Sequence, residues 1–537
     1  MVLRRLVRQS VRQSVRQSVR QSVRQSVRQW VRQWVNTSVR AASTCGNVVA
    51  DGVEAKPFED VPGPRGIYQI PYIGTLFHFK PFSQFTPTTS NQFFHSLFLR
   101  YGPLVKLRIG RVCVVTSDPK DIETVYRNEG RVPLRPSVDL LTVYAKRNGY
   151  KDNLSNLNGE EWSALRTPAN KRLMKADSAE HYLPQHNVIA DELVDVMSTE
   201  SLEGPQLEDL LFRYSSESIG VVAFNARLGF MNRGAVQDPE ALEFLEASKE
   251  LFRCLHKVFV GESVFHAVYR NKTYRAFERA YNVIKRQTKQ HIKQAYAINE
   301  QKSREGTAPN DESNLLLSLV SGKDVTEEDI CAILEALYSS STDAIARNLL
   351  VFLYNLASHP EKQKVLREEI HNVVGQNKMI TAEHLKEMHY LKACLKESFR
   401  INYPTSLGSM RVLPTDVVLS GFRIPAGVPI LFGNPTACRL YFQDADKFLP
   451  ERWLRSQDGR TQQSIPNMAL LPFGHGPRMC IGQRFALQEL HLTTAKILQK
   501  LSIDVTPESR GATFHYNISP FPNKPIRFVF TPDNTRV

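Results

Sequence analysis

Residues 473–482 read F-G-H-G-P-R-M-C-I-G, so two glycines and a proline closely precede Cys480. Glycine permits tight turns and proline stiffens them, so the backbone must turn sharply before the cysteine. A helical pattern begins after it, near Arg484. A thiolate just before a helix is stabilised by the helix dipole and by N–H donors. The stretch therefore predicts a functional thiolate, with a buried structural cysteine as the other interpretation.

The remaining cysteines show no pattern of their own. The chain has seven, an odd number, and no two form a C-x-x-C pair; besides Cys480 they are Cys45, Cys113, Cys254, Cys331, Cys394 and Cys438. Neither a disulfide framework nor a zinc cluster is expected from such scattered positions. A reducing compartment fits, with most thiols buried as small apolar groups.

The basic charge of the chain is concentrated at its N-terminus. The formal net charge is +15, from 69 Lys and Arg against 54 Asp and Glu, but residues 1–50 contain ten Arg and no acid. Without them, 59 basic residues face 54 acidic ones, which leaves only +5. A folded body with this balance does not point to a nucleic-acid-binding protein.

The N-terminal segment is a tetrapeptide repeat. Residues 7–35 repeat V-R-Q-S, drifting to V-R-Q-W. An Arg-rich, Ser-rich, acid-free segment is typical of a mitochondrial transit peptide. A period of four drifts by about 40° per repeat on a helix, so the valines form only short amphipathic stripes. We expect a targeting segment at 1–50 and one domain at 51–537. A low-complexity expansion without function and a nucleic-acid-binding arm are the alternatives.

The body of the chain has the pattern of a mostly α domain with small β-sheets (α+β). Residues 57–64 read P-F-E-D-V-P-G-P, which prohibits a helix at the entry. Leu104–Ile109 and Val112–Thr116 favour strands, residues 160–400 favour helices, and Pro/Gly-rich strands return from about 404. No run of 18 apolar residues occurs, so any membrane contact would be peripheral.

One predicted helix is long enough to cross the whole domain. Thr326 is a good N-cap and Asp329 is in the third helical position. Helical residues continue to about Ser358, and Pro360 ends them. This central helix would have about 32 residues and a length of roughly 48 Å.

The cysteine stretch resembles a known family signature. F-x-x-G-x-R-x-C-x-G is the haem-binding motif of cytochromes P450, and every fixed position is present at 473–482. The resemblance extends over about residues 57–530. It implies the P450 fold, haem b as cofactor, Cys480 as the axial ligand of the haem iron, and Phe473 beside the haem.

Companion motifs support the resemblance. Glu397 and Arg400 form the family's E-x-x-R pair, and Arg452 in F-L-P-E-R-W resembles the third member of a structural triad. Haem also needs cationic partners for its two propionates. By resemblance these partners are Arg166, Arg411 and Arg478. Trp162 accompanies Arg166 in the family's W-x-x-x-R pair.

Several features resemble the mitochondrial branch of the family. These are the proline-rich entry, the transit-like N-terminus and residues 211–230, which contain E-S-I and R-L-G. Lys392 and Lys396 are four residues apart on the E-x-x-R helix and therefore share a face. By resemblance they dock an acidic adrenodoxin-type [2Fe–2S] ferredoxin, with Arg484 extending the patch. An ordinary solvated lysine pair is the alternative.

The central helix departs from the family pattern. The family's A-G-x-D-T-T segment falls on residues 340–345, which read S-S-T-D-A-I. The acid is present as Asp343, but Ala344 replaces the alcohol that helps to deliver protons when dioxygen is activated. Ser341, Thr342, ordered water or a substrate hydroxyl could replace it, or the protein does not activate dioxygen efficiently.

Three functional hypotheses follow. The first is a mitochondrial monooxygenase that takes electrons from ferredoxin and inserts oxygen into an apolar sterol-like or foreign substrate, at the matrix side of the inner membrane. The second is a haem-thiolate isomerase or dehydratase that needs no electron donor, which Ala344 favours and the two lysines oppose. The third is a non-catalytic binder of haem or sterol. The residues do not identify the substrate.

Overall fold

A computed structural model describes residues 49–532, except 51–52, 72, 201, 232–237, 260–268, 306–313, 323, 376–377 and 455–464. The transit-like segment at 1–48 lies outside the described residues. The helices are α1 Ser90–Tyr101, α2 Pro119–Asn128, α3 Asp139–Asn148, α4 Gly159–Leu173, α5 Leu183–Thr199, α6 Gly204–Phe224, α7 Pro239–Phe259, α8 Lys272–Arg304, α9 Leu315–Ser321, α10 Glu327–Ala357, α11 Pro360–Val373, α12 Ala382–Glu387, α13 His389–Ile401, α14 Asn434–Leu440 and α15 Gln483–Lys500.

The strands are short and form five small sheets. They are β1 Val49–Ala50, β2 Val53–Glu54, β3 Leu104–Ile109, β4 Arg111–Thr116, β5 Met410–Val412, β6 Val417–Leu419, β7 Phe422–Ile424, β8 Pro429–Phe432, β9 Leu501–Val505, β10 Phe514–Tyr516, β11 Pro520–Pro522 and β12 Phe528–Pro532. The predicted mostly helical fold with a small β part at both ends is confirmed.

Helix α10 is the predicted central helix. The Thr326 Oγ1 accepts the Asp329 N–H at 3.2 Å and the Asp329 side chain accepts the Thr326 N–H, so both ends of the capping box form. The helix packs against α6, α8 and α15. It is buried along most of its length, which explains why only Glu335, Asp343 and Arg347 are charged after its first turn.

The largest sheet joins two segments that are far apart in the sequence. Its strand order is β3-β4-β8-β5, in which β4 and β8 are parallel and the other pairs are antiparallel. Val114 is paired with Ile430, more than 300 residues later. The sheet thereby places β5, which carries Arg411, next to the N-terminal part of the domain. In the described ranges, no helix is long and apolar enough to cross a bilayer.

Candidate active site

The cysteine loop, residues 473–482, is a tight turn that leads directly into α15. The Cys480 N–H donates to the carbonyl of Phe473 at 2.8 Å, which closes the loop. Gly474 and Gly476 have φ of +71° and +75°, which side chains of L-residues rarely adopt. A Cβ at Gly476 would come within 2.1 Å of the Glu129 Oε1. Both glycines are therefore required by this turn, as the sequence predicted.

The thiol of Cys480 is accessible but closely surrounded by protein. It is the exposed one among the six cysteines that the structure describes; the other five are buried. Burial nevertheless raises the pKa of the Cys480 thiol, while the N–H of Gly482 and the charge of Arg166 lower it. The thiol therefore faces an interior space rather than bulk solvent, which is the placement that a metal-ligating thiolate needs.

Four arginines gather beside this loop. Three were predicted, and their guanidinium groups bond to nearby oxygens: Arg166 to the Met479 carbonyl at 2.7 Å, Arg478 to the Leu157 carbonyl, and Arg411 to Glu129 and to the His475 carbonyl. The fourth is Arg135, which bonds to the Ser155 carbonyl. Four guanidinium groups against one carboxylate leave a formal charge of +3 in this cluster.

The arginine cluster has unused hydrogen-bonding capacity. The Nε and Nη1 of Arg478 and the Nε of Arg166 are buried without a partner among the described residues. Burial lowers the pKa of Arg478 to about 9, helped by repulsion from Arg135, Arg411 and Arg166. Burial likewise lowers the pKa values of Arg166 and Arg135 to about 10. Such a group of donors fits a ligand with two carboxylates.

Two aromatic residues hold the site in place. The Arg478 guanidinium lies 4.3 Å from the ring of Trp162, and the Arg166 guanidinium lies 5.9 Å from it. Trp162 is buried and therefore fixes both arginines by cation–π contact. Phe473 packs edge-on against Phe399 of α13 at 5.8 Å between ring centroids. The cysteine loop is thereby attached to the helix that carries Glu397.

Glu397 of α13 is the centre of a buried ionic network. Its carboxylate accepts two hydrogen bonds from Arg400, at 2.8 and 2.9 Å, and one from Arg452 at 3.1 Å. The Trp453 indole and the Leu449 N–H add two more at 2.9 Å. Arg400 also donates to the Ala445 and Lys447 carbonyls. The three charged side chains lie together as predicted and tie α13 to the loop at 440–453.

One stretch of α10 has an open face. Ser340 is exposed and Ala344, one turn later, is half-buried, in a helix that is otherwise mostly buried. Ser341 is also half-buried and its hydroxyl has no hydrogen bond among the described residues. Thr342 is fully buried on the opposite face and donates to the Tyr338 carbonyl at 3.1 Å. This placement disfavours Thr342 as the missing alcohol and leaves the two serines.

Asp343 is held by two side chains from different helices. The Arg347 Nε donates to its Oδ1 at 2.7 Å, and the His256 Nε2 of α7 lies 3.2 Å from its Oδ2. Burial would raise the pKa of the carboxyl, but His256 and Arg347 together lower it to about 2. Asp343 is therefore ionised and fixed in direction, beside the open face of α10.

Comparison with known proteins identifies this arrangement. The family model "Cytochrome P450" matches residues 64–530. The chain is a cytochrome P450. The probable mitochondrial cytochrome P450 12d1 proximal of Drosophila melanogaster is 29% identical over 494 residues, 89% of this chain and 92% of the relative. Cytochrome P450 10 of Lymnaea stagnalis is 28% identical over 501 residues, 91% of this chain and 88% of that protein.

A solved structure shares the fold. Retinoic acid bound cyanobacterial CYP120A1 superposes with a TM-score of 0.70 at 20% identity, covering 89% of this chain and all of that one. The predicted family, P450 fold, haem b cofactor and monooxygenase class are confirmed. The chain is thus a haem monooxygenase.

The residues of this P450 fit haem b. Cys480 offers an accessible thiol at the end of a stiff turn, and the arginine cluster offers unpaired donors for two propionates. Cys480 would hold the iron, and Arg135, Arg166, Arg411 and Arg478 would hold the carboxylates. Bound haem supplies the dioxygen chemistry of the family. The protein would supply the Cys480 sulfur for the iron and the arginine charges for the carboxylates, with the ionised Asp343 near the open face.

Three functional residues escaped the sequence analysis. Arg135 belongs to no motif, and Glu129, the counter-charge of Arg411, lies in a loop 282 residues before its partner. His256 lies 87 residues before Asp343. Arg347, by contrast, is four residues after Asp343, and this spacing alone could have indicated the pair.

Proposed function

We propose that this P450 is a mitochondrial monooxygenase of an apolar, sterol-like or foreign substrate, supplied with electrons by an adrenodoxin-type [2Fe–2S] ferredoxin. Relatives that carry "mitochondrial" in their names support the compartment. The transit-like repeat at 1–50 supports it as well, with residues 51–537 as the P450 domain. The basic surface of α13 and α15 is the observation that supports a ferredoxin as the electron donor.

This surface combines accessible cations from two packed helices. Lys396 is exposed, and its ammonium lies 4.1 Å from the Trp453 ring centroid. Arg484 is exposed in the first turn of α15, just after the cysteine loop. Neither has an acidic partner among the described residues. Lys392 is half-buried and donates to the Lys386 carbonyl at 2.7 Å, so it contributes charge more than contact. An acidic ferredoxin is the complementary partner.

Stopped-flow reduction of the haem-loaded protein by a reduced adrenodoxin-type ferredoxin tests this proposal. We expect Lys396→Gln with Arg484→Gln to slow the bimolecular rate by about tenfold at low salt, because charge complementarity mainly sets the association rate. The loss should shrink at high ionic strength, where the charges are screened.

Lys120→Gln with Lys272→Gln is the matched control, since it removes two exposed positive charges elsewhere. Equal slowing in both double variants would rule out this docking surface.

An exposed apolar patch near the entry to the domain supports peripheral contact with the inner membrane, on its matrix side. Its side chains are between 44% and 62% exposed; they are Ile67, Ile70, Ile73, Leu76 and Phe82. Isolated exposed apolar residues are ordinary, but five within 16 residues form a membrane-type surface. Phe82→Ser with Leu76→Ser should reduce co-sedimentation with vesicles without changing the haem spectrum.

A donor-independent haem-thiolate isomerase is the second candidate, and Ala344 favours it because a methyl group on the open face of α10 cannot relay protons. Turnover of a substrate library should be compared with ferredoxin and its reductase against peroxide alone. Turnover by peroxide with no gain from ferredoxin would favour the second candidate and would contradict the first.

A further inference from the structure

A basic cleft lies between α8 and the chain that follows α3, apart from the haem site. It has a volume of about 610 Å³, and eight polar residues line it, none of which carries a carboxylate. Four of them are cations of α8: Lys285, Arg286, Lys289 and Lys293. Asn148 and Tyr150 line the opposite side. The cleft therefore concentrates positive charge between two elements of the fold.

The lysines form a stripe along one helix face. Lys285, Lys289 and Lys293 follow one another at intervals of four residues, so their side chains project to the same side. Like charges at this spacing repel and destabilise a helix. Such a stripe is usually solvated, but here the first lysine is buried against a tyrosine ring. The side chain of Lys285 is only 8% exposed, and its ammonium lies 4.5 Å from the Tyr150 ring centroid.

Two of the four charges are already balanced. Lys285 pairs with the buried Glu335 of α10 at 2.8 Å, and Arg286 pairs with Glu243 of α7. Lys289 and Lys293 are exposed and have no acidic partner among the described residues. Four cations against two carboxylates leave a formal charge of +2 in the cleft.

We propose that this cleft binds a doubly charged oxyanion of the phosphate type. Lys289 and Lys293 are its charge partners, and Asn148 and Tyr150 line the other wall, where the Tyr150 ring centroid lies 5.7 Å from the Lys289 ammonium. Phosphate oxygens suit lysine ammonium groups, which act as point charges without a fixed orientation. The oxyanion is either a soluble phosphate ester or the headgroup of an anionic phospholipid.

An oxyanion in this position would reinforce the existing contact between α8 and the region of α3. The Tyr144 hydroxyl of α3 donates to the Asn282 Oδ1 of α8 at 2.6 Å, and the Asn153 Nδ2 donates to the Tyr281 hydroxyl at 3.2 Å. A ligand that touches Asn148 and Lys289 adds a bridge across the same boundary. Binding should therefore slow amide hydrogen exchange in residues 146–151, which follow or end α3.

The test uses the full haem-loaded chain and two probes. Inorganic phosphate is titrated by calorimetry at about pH 8, where it is mainly a dianion, and at about 0.15 M ionic strength, where non-specific surface attraction is screened beyond about 8 Å. Vesicles of phosphatidylcholine, alone or with phosphatidic acid, are tested by co-sedimentation. Each is repeated with Lys289→Gln plus Lys293→Gln. The control, Arg275→Gln plus Arg279→Gln, makes the same charge change at the same spacing on the exposed surface of α8.

We expect the lysine double variant to weaken binding of one probe by about tenfold or more, while the control stays within about twofold of the wild type. Binding of inorganic phosphate identifies a soluble oxyanion, and selective binding to vesicles with phosphatidic acid identifies a lipid headgroup. Absence of binding in both arms, or equal loss in the two double variants, would overturn the proposal. Amide exchange at 146–151 that is unchanged by a bound probe would also overturn it.

Discussion

His256 of α7 and Asp343 of α10 are in hydrogen-bond contact, which links two helices beside the open face of the central helix. Their Nε2 and Oδ2 atoms lie 3.2 Å apart, and both side chains are largely buried. Arg347 holds the other carboxylate oxygen at 2.7 Å. The acid of the family's A-G-x-D-T-T segment is thus constrained from two sides in this protein.

Replacing His256 should leave the Asp343 carboxylate less firmly positioned. We expect His256→Ala to lower the free energy of unfolding by about 1–2 kcal/mol, because a buried charged hydrogen bond is lost. It should also lower the ratio of product formed to electrons consumed. Chemical denaturation and coupled turnover assays measure the two effects. His256→Gln retains a donor and should recover most of both; if it recovers neither, the contact with Asp343 is not the cause.

Restoring the missing alcohol at position 344 should raise the amount of product formed per electron pair consumed. Ala344 is half-buried on the open face, so Ala344→Thr places a hydroxyl beside Ser340 and Ser341. We expect a several-fold increase in product per electron pair, because a positioned hydroxyl can relay protons and a methyl group cannot. Thr342→Val is the control, since Thr342 bonds to its own helix on the opposite face. Equal coupling in the wild type and in Ala344→Thr would show that the serines or water already do this work.

The arginine that belongs to no motif should contribute to cofactor retention. We expect Arg135→Gln to weaken haem binding by about tenfold, the equivalent of one charge-assisted hydrogen bond. Transfer of haem to apomyoglobin measures this loss. Arg127→Gln, an exposed position in the preceding helix, should leave the transfer rate unchanged. An unchanged rate in Arg135→Gln would remove this residue from the haem-binding set.

Glu489 of α15 should make stability depend on pH. It is buried, its Oε1 has no partner among the described residues, and burial raises its pKa to about 8. Between about pH 4.5 and 8 the folded protein therefore holds a proton that the unfolded chain has lost, so stability falls as pH rises. Glu489→Gln removes this effect and should be more stable than the wild type by about 3 kcal/mol at pH 7.

The difference should vanish near pH 4.5 and level off above about pH 8. Glu387→Gln, which changes an exposed acid, should differ little from the wild type at any of these pH values. A Glu489→Gln advantage that does not change with pH would show that packing rather than ionisation is responsible.

Local signals predicted the fold and the tight turn before Cys480. Thr326, Asp329 and Pro360 mark the ends of the central helix because caps and proline act within a few residues. Spacing likewise places Glu397 and Arg400 on one helix face, whereas the family resemblance was needed to add Arg452. The face of Thr342 could also have been predicted, since it is two residues from Ser340 and so projects about 200° away around the helix.

The remaining site residues depend on tertiary contacts. Arg135, Glu129 and His256 reach their partners across the fold and occupy no periodic position. Their roles follow from burial and charge balance, which the linear sequence does not contain. Substrate identity lies still further from the sequence, because pocket shape is a property of the packed domain.

The segment between Arg135 and the start of α4 touches three parts of the molecule at once. Its Leu157 carbonyl receives Arg478, its Leu154 N–H bonds to the Ala332 carbonyl of α10, and Tyr144 bonds to α8. A substitution within this segment would consequently disturb the arginine cluster, the central helix and the contact with α8 together. Single changes here should therefore be tolerated less well than changes in surface loops that have one neighbour.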